Sequence, residues 1–197
     1  MKQFLSEPQQ ALVVLWWNGL QNEKERPAGP FAMLTHGDRA QLRRCALPDD
    51  VLLLSSLHRL AQALQKADGP AVPLSALALA AGVLSHVTDH IPGKDFARAL
   101  GSKNGTDRPC MSELRFQQLQ TCRDEVAFFR QARRAVDLLG GTTDVGRLAN
   151  DLLNWVHEYR QPDPALPPAQ RLKLRWATLY YQAALPESAD EQARQPS

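Results

Sequence analysis

The run MSELRFQQLQTCRDEVAFFRQARRAVDLLGG over residues 111–141, followed by DVGRLANDLLNWVHEYR over 144–160, decides the fold class. Phe128, Ala132, Ala135 and Leu139 recur at i, i+4, i+7 and i+11, one stripe on a 3.6-residue period. Val145, Leu148, Leu152, Trp155 and Tyr159 continue the same period in the second piece. Arg130, Arg133 and Arg134 fall on the side away from the first stripe. Helix neighbours three and four apart project together, so these three guanidiniums, on long aliphatic stems, are expected to fan over one patch. A helix apolar on one side and cationic on the other suits a polyanion, although a merely solvated face has the same composition.

The remainder of the chain sets the frame. Its 197 residues, 44% hydrophobic and 22% charged, match an ordinary globule of one domain or two small ones. The net charge of +2 is too small to announce a nucleic-acid partner, but it is unevenly placed. Between Lys94 and Arg134 nine basic side chains stand against five acidic ones, an excess of four, so the rest of the chain is net negative. Cys45, Cys110 and Cys122 show no CxxC spacing, and three plain thiols in a reduced, cytoplasmic compartment are expected. No apolar run approaches a membrane span and no cleavage site follows the N-terminus, so a soluble, unprocessed protein is expected.

Outward from the opening stretch, helical signals repeat. Ser6, Glu7 and Pro8 start a helix expected over 7–21. Two prolines and a glycine make 26–31 a connector, and a short helix over 38–45 carries Arg39, Arg43 and Arg44 in its last turns, where the helix dipole favours cations. Pro48 opens the next helix, with Val51, Leu54, Leu57, Leu60 and Leu64 as its buried stripe. Residues 74–87, LSALALAAGVLSHV, are apolar nearly all round and predict a central helix. The chain turns polar over 91–110 around one helical piece at 94–100, which marks a domain boundary. Ser112 caps the next helix, Gly140 and Gly141 end the arginine-bearing one, and Thr143 or Asp144 caps its successor. A proline-heavy loop over 161–168 precedes a last helix carrying Leu172, Trp176, Leu179 and Ala183. No strand pattern competes, so the fold class is all-α: two small helical bundles packed in one elongated subunit, over 1–92 and 93–185, with a disordered tail over 186–197.

Catalytic chemistry finds little support. His86 and His90 stand four apart, as two zinc ligands on a helix would, but no third ligand is indicated and helix-end histidines explain them better. His36, His58 and His157 are scattered, with no flanked serine or cysteine nucleophile. Gly140 and Gly141 lack the lysine of a phosphate loop. The tryptophans and the Tyr180, Tyr181 pair could stack on bases, but their helical spacing points to packing. No cofactor, no metal and no enzymatic role are expected.

Ser112, Glu113, Leu114, Arg115, Phe116 and Leu119, continuing through Arg133, Arg134 and Ala135 to Leu148 and Trp155, resemble the small subunit of the type I-E CRISPR Cascade complex, the CasB family. The resemblance extends to Trp16 or Trp17, the Ala40, Leu42, Arg43, Arg44 element, the Arg98, Ala99, Leu100 stretch and the Trp176, Tyr180, Tyr181 group, spanning roughly 11–181 and leaving out the 161–168 loop. It implies a two-bundle, non-catalytic protein that assembles as two copies beside the other Cascade subunits and the guide RNA. It further implies contact with the target strand and the displaced non-target strand, holding an R-loop open. The family's basic positions map onto Arg43, Arg44, Arg98, Arg115, Arg123, Arg133 and Arg134, and the charge distribution adds Lys94, Lys103 and Arg130. The alternative is a structural clamp that joins protein subunits without touching nucleic acid.

Overall fold

Ser6 begins the first helix by a reciprocal exchange: its Oγ accepts from the Gln9 amide at 3.3 Å, and Gln9 Oε1 accepts from the Ser6 amide at 3.1 Å. Helix α1 then runs Glu7–Gln21, the span expected. The computed structural model describes residues 4–21, 29–103, 105 and 107–185, so residues 26–28 of the expected connector and the expected tail lie outside the described residues. A single 3₁₀ turn, Gly29–Phe31, leads to α2, His36–Arg44. Thr35 and Asp38 form the same kind of box there, which starts α2 two residues before the expected position.

The helix expected to run on from Pro48 is two helices, α3 (Pro48–Val51) and α4 (Ser55–Lys66). Three leucines separate them, and Leu53 is 85% exposed. The His58 ring binds the Leu52 carbonyl at 2.9 Å, satisfying an acceptor that a continuous helix would have used internally. Helix α5, Leu74–Leu84, is buried from Ala76 onward, as its composition requires. It stops three residues short of the expected end, so His86 and His90 do not share a helix face. His90 belongs instead to a two-residue strand, β1 (Asp89–His90), which pairs in parallel with β2 (Thr142–Thr143). This small bridge is the one departure from all-α among the described residues. Gly140 and Gly141, both at positive φ, turn the chain into it, and the Gly141 carbonyl accepts from the amides of Thr88 at 2.8 Å and Asp89 at 3.2 Å.

The second half supplies α6 (Phe96–Gly101), α7 (Glu113–Gln120), α8 (Glu125–Leu138), α9 (Val145–Arg160) and α10 (Leu172–Ala184). Asp124 and Asp144 cap α8 and α9 through their carboxylates, whereas Ser112 occupies the cap position of α7 without a side-chain bond. Gly101 marks the closest approach of α6 to α10: a Cβ there would stand 2.2 Å from the Tyr180 carbonyl oxygen. Only glycine lets the two backbones meet so closely.

Helix α9 is buried on nearly every side from Val145 to Val156, polar Asn150, Asp151 and Asn154 included. It packs more extensively on α1 and α5 than on α10, and one contiguous cluster of buried side chains joins residues from both sides of position 92. The Asn150 carboxamide oxygen accepts from the amides of Phe4 and Leu5 at 2.7 and 3.0 Å, fastening the start of the described chain to the middle of α9. The aromatic residues pack as their spacing indicated. Phe128 lies flat on Trp155 at 3.7 Å, Phe116 on Tyr180 at 4.0 Å, and Trp16 donates from inside the core to the Ser56 carbonyl.

Candidate nucleic-acid interface

Helix α8 divides the expected cluster. Phe128, Phe129, Ala132, Ala135 and Val136 are buried, and Arg130 and Arg134, one turn apart, are exposed. Arg133 does not fan out with them. Its guanidinium is half-buried over the Phe129 ring, 4.9 Å from the centroid. Its Nε donates to His86 Nε2 at 2.7 Å, and its two terminal nitrogens donate to the carbonyls of Cys45 at 2.6 Å and Arg43 at 2.5 Å. Those carbonyls lie at the C-terminal end of α2, where the last turns have no helical donors left. Burial lowers the basicity of Arg133 and the Asp137 carboxylate opposes that shift.

The bond from Arg133 also fixes the state of His86. A guanidinium Nε–H only donates, so His86 Nε2 accepts, and the ring proton sits on Nδ1, shared with Asp137 Oδ1 at 3.0 Å. Burial lowers the His86 pKa, the Asp137 hydrogen bond works the other way, and the positive charges of Arg133 and Arg43 lower it. A histidine depressed in the folded state stabilises the fold fully above its unfolded value of about 6.5, and that contribution drains away as pH falls through the folded value. Thermal stability of the wild-type chain is therefore expected to decline between pH 7.5 and 5.5 more steeply than that of a His86→Gln variant, as read by melting curves at each pH. Parallel pH profiles would refute this.

On its other side α8 faces α7 across a cleft of about 460 Å³ lined by Met111, Arg115, Gln118, Gln131, Arg134 and Asp137, with Leu138 completing it. Arg115 comes from α7 and Arg134 from α8, so two helices each contribute one exposed guanidinium to one concavity. Asp137 belongs both to this cleft and to the His86 and Arg133 network, which makes the two clusters adjoin. Arg43 and Arg44 are exposed on the last turn of α2, beside the carbonyls that Arg133 holds. Below them Arg39 is buried and donates to the Ser85 and Val87 carbonyls, both at 3.0 Å, pinning α2 to the end of α5.

The remaining candidates lie apart from the cleft. Arg123 is exposed in the turn between α7 and α8. Lys94 and Arg98 line a shallow depression around α6 with Asp95 and Ser102. Lys94 binds Thr142 Oγ1, Arg98 donates to Gln182 Oε1 at 3.0 Å, and Lys103 is exposed just beyond the helix. Lys94 and Arg98 thus form a second group, tied to β2 and α10 respectively.

Neither histidine offers a vacant nitrogen pair to a metal. Both His86 nitrogens are engaged, and His90 Nδ1 accepts from the Val145 amide at 3.1 Å. No cluster of three metal-ligating side chains occurs among the described residues. Cys45, Cys110 and Cys122 form no disulfide, and burial pushes all three thiols up, away from the reactive thiolate. No helix of the described residues is long and apolar enough to cross a membrane. Sequence reading missed Gln118, Gln131 and Asp137 as lining of the cleft and His86 as a partner of Arg133 beside it. Asp137 carried a usable signal, since it stands four residues after Arg133 and so on the same helix face.

Comparison with known proteins narrows the reading. The family model for CRISPR-associated protein Cse2 matches residues 38–181. A CRISPR-associated protein Cse2 of Thermus thermophilus is 36% identical over 100 residues, a stretch covering 50% of this chain and 51% of that protein's length. The crystal structure of a Cse2-family protein from Thermus thermophilus superposes with a TM-score of 0.58 at 28% identity, covering 90% of this chain and all of the other. The crystal structure of CasB, also from Thermus thermophilus, gives 0.54 at 26% identity over the same shares. A chain of Escherichia coli Cascade, solved bound to a double-stranded DNA target containing a protospacer-adjacent motif, shares the fold alone, with a TM-score of 0.59 at 21% identity over 88% of this chain and 94% of that one.

Proposed function

The chain belongs to the CRISPR-associated Cse2 family, and on that premise we propose that it is the non-catalytic small subunit of an RNA-guided type I-E Cascade complex, a cytoplasmic protein that steadies the R-loop by gripping nucleic-acid backbone. Its partners are the other Cascade subunits with their guide RNA, both strands of the target DNA, and a second copy of itself. The observation that carries this reading is the α7/α8 cleft, where Arg115 and Arg134 from different helices converge on one space. Paired guanidiniums suit phosphate oxygens, which position a strand but carry no base identity. Guide pairing supplies the sequence reading, and because R-loop formation is a near-balanced exchange of duplexes, a few phosphate contacts suffice to bias it. The modest net charge fits a subunit that meets DNA already held close by its neighbours.

Replacing Arg115 and Arg134 together by alanine in the reconstituted complex is expected to shorten R-loop lifetime about tenfold, equivalent to about 1.4 kcal/mol. The fold should be unaffected, because both side chains are exposed and neither is part of the core, and on this reading assembly is unchanged as well. Unchanged lifetime with disrupted assembly would instead favour the protein-joining clamp.

A further inference from the structure

Arg133 stands among the arginines of a polyanion-binding face, yet its nitrogens are spent inside the protein. All three acceptors it reaches belong to the end of α2 or to the residues that follow α5: the Arg43 carbonyl, the Cys45 carbonyl and His86 Nε2. The guanidinium is held over Phe129, and Asp137 fixes the His86 ring from its other nitrogen. We propose that Arg133 is a positioning residue, a clamp from α8 that sets the last turn of α2 and thereby aims the Arg43 and Arg44 side chains at the same polyanion that the Arg115 and Arg134 cleft binds. This rests on the reading of that surface as a backbone-binding face, and adds to it a division of labour among the arginines.

The geometry explains why an arginine is needed there. One planar fork reaches two carbonyls and a ring nitrogen at once, each from a different direction, while its face lies on an aromatic ring. A lysine brings the same charge on a single nitrogen and cannot reproduce the fork. Other holds on this end lie to either side of the Arg43–Cys45 turn: Arg39 fastens α2 one turn earlier, the Ala46 and Leu47 amides donate to Asp50 Oδ2, both at 2.9 Å, after the helix has ended, and within the turn the Cys45 amide makes only a long bond of 3.4 Å to the Leu42 carbonyl. Loss of the clamp therefore loosens the turn carrying Arg43 and Arg44 and leaves the body of α2 in place.

The test uses the full chain, a fluorescein-labelled single-stranded oligothymidylate, and the variants Arg133→Lys, Arg133→Met, Arg43→Ala/Arg44→Ala, and the combination of Arg133→Lys with both alanines. Arg133→Met keeps the apolar stem over Phe129 and serves as a second variant should one of the others fold poorly. Each phosphate neutralised on a single strand adds about 0.7 to the slope of log affinity against log salt. The clamp predicts that Arg133→Lys, with charge unchanged, lowers both affinity and salt slope, losing on the order of fivefold in affinity at moderate salt. It predicts further that Arg133→Lys costs nothing more once Arg43 and Arg44 are gone. Wild-type affinity and slope in Arg133→Lys, or a full additional loss in the combined variant, would make Arg133 a direct phosphate contact and overturn the proposal. Amide hydrogen exchange decides the structural half without DNA: exchange at 43–45 is expected to rise in Arg133→Lys and Arg133→Met, and unchanged exchange would show that no clamp exists. If Arg43→Ala/Arg44→Ala binds as wild type while exchange rises in the Arg133 variants, the clamp stands and its aiming role is overturned, along with the assignment of α2 to the binding face.

Discussion

Asp151→Ala is expected to destabilise the protein by about 2–4 kcal/mol, the cost of leaving a partly buried guanidinium and a buried indole N–H without their acceptor. Asp151 is 7% exposed on α9, and its two oxygens accept from the Arg175 guanidinium and, at 2.8 Å, from the Trp176 indole on α10. Burial pushes its carboxyl up, and Arg175 and Trp176 oppose that shift by stabilising the ionised form. Removing the carboxylate strands a guanidinium and a buried indole N–H together, whereas Asp151→Asn keeps an acceptor for one of them. Denaturant midpoints should rank wild type above Asp151→Asn and both above Asp151→Ala. If the alanine variant matched wild type, the α9/α10 contact would owe its stability to apolar packing alone.

Trp155→Ala should cost about as much by a different route. The indole is 3% exposed and stacks on the Phe128 ring, parallel with centroids 3.7 Å apart, and on the Tyr159 ring, with centroids 5.2 Å apart. Truncation removes the transfer free energy of a large aromatic and leaves a cavity that two flat rings cannot collapse into, about 3–5 kcal/mol in total. For a chain of this size each kcal/mol moves Tm by about 2–4 °C, so a fall of roughly 6–20 °C is expected in a melting curve. Trp155→Phe should recover much of it by restoring a ring to the stack. A drop of only a degree or two in the alanine variant would mean that the stack relaxes freely.

Which parts of this were legible beforehand follows from the range of the forces involved. Caps and periodic stripes are local, so α1 and the glycine end of α8 could be read directly from Ser6, Glu7, Pro8, Gly140 and Gly141. The break between α3 and α4 was hidden because the leucines at 52–54 continue an apolar run, and the side chain that terminates it, His58, acts across a turn that no propensity anticipates. The burial of α9 was hidden for a related reason. Asn150, Asp151 and Asn154 look like a polar face, and only tertiary partners such as the Phe4 and Leu5 amides and Trp176 make them interior residues.

The candidate site shows the same division. Arg115 and Arg134 were both chosen from sequence, but their meeting across a cleft depends on how α7 packs against α8. Arg133 and Arg134 are adjacent in sequence and indistinguishable by composition, yet one turns toward α2 and the other toward α7. A helix rotates about 100° per residue, enough to send consecutive side chains to different neighbours. Family resemblance placed Arg133 among the basic positions, and the bonds it makes tie that position to the end of α2.

The fastening of Phe4 and Leu5 to Asn150 has a consequence for biosynthesis. A nascent chain leaves the ribosome from its N-terminus, and an independent leading unit could fold while the rest is still being translated. Here Phe4 and Leu5, and the faces of α1 and α5 that receive α9, find their partner only after more than a hundred intervening residues, from α1 to Asn150, have been made. Until then those apolar surfaces stay uncovered, so the chain is most vulnerable to aggregation and proteases in the interval before α9 emerges.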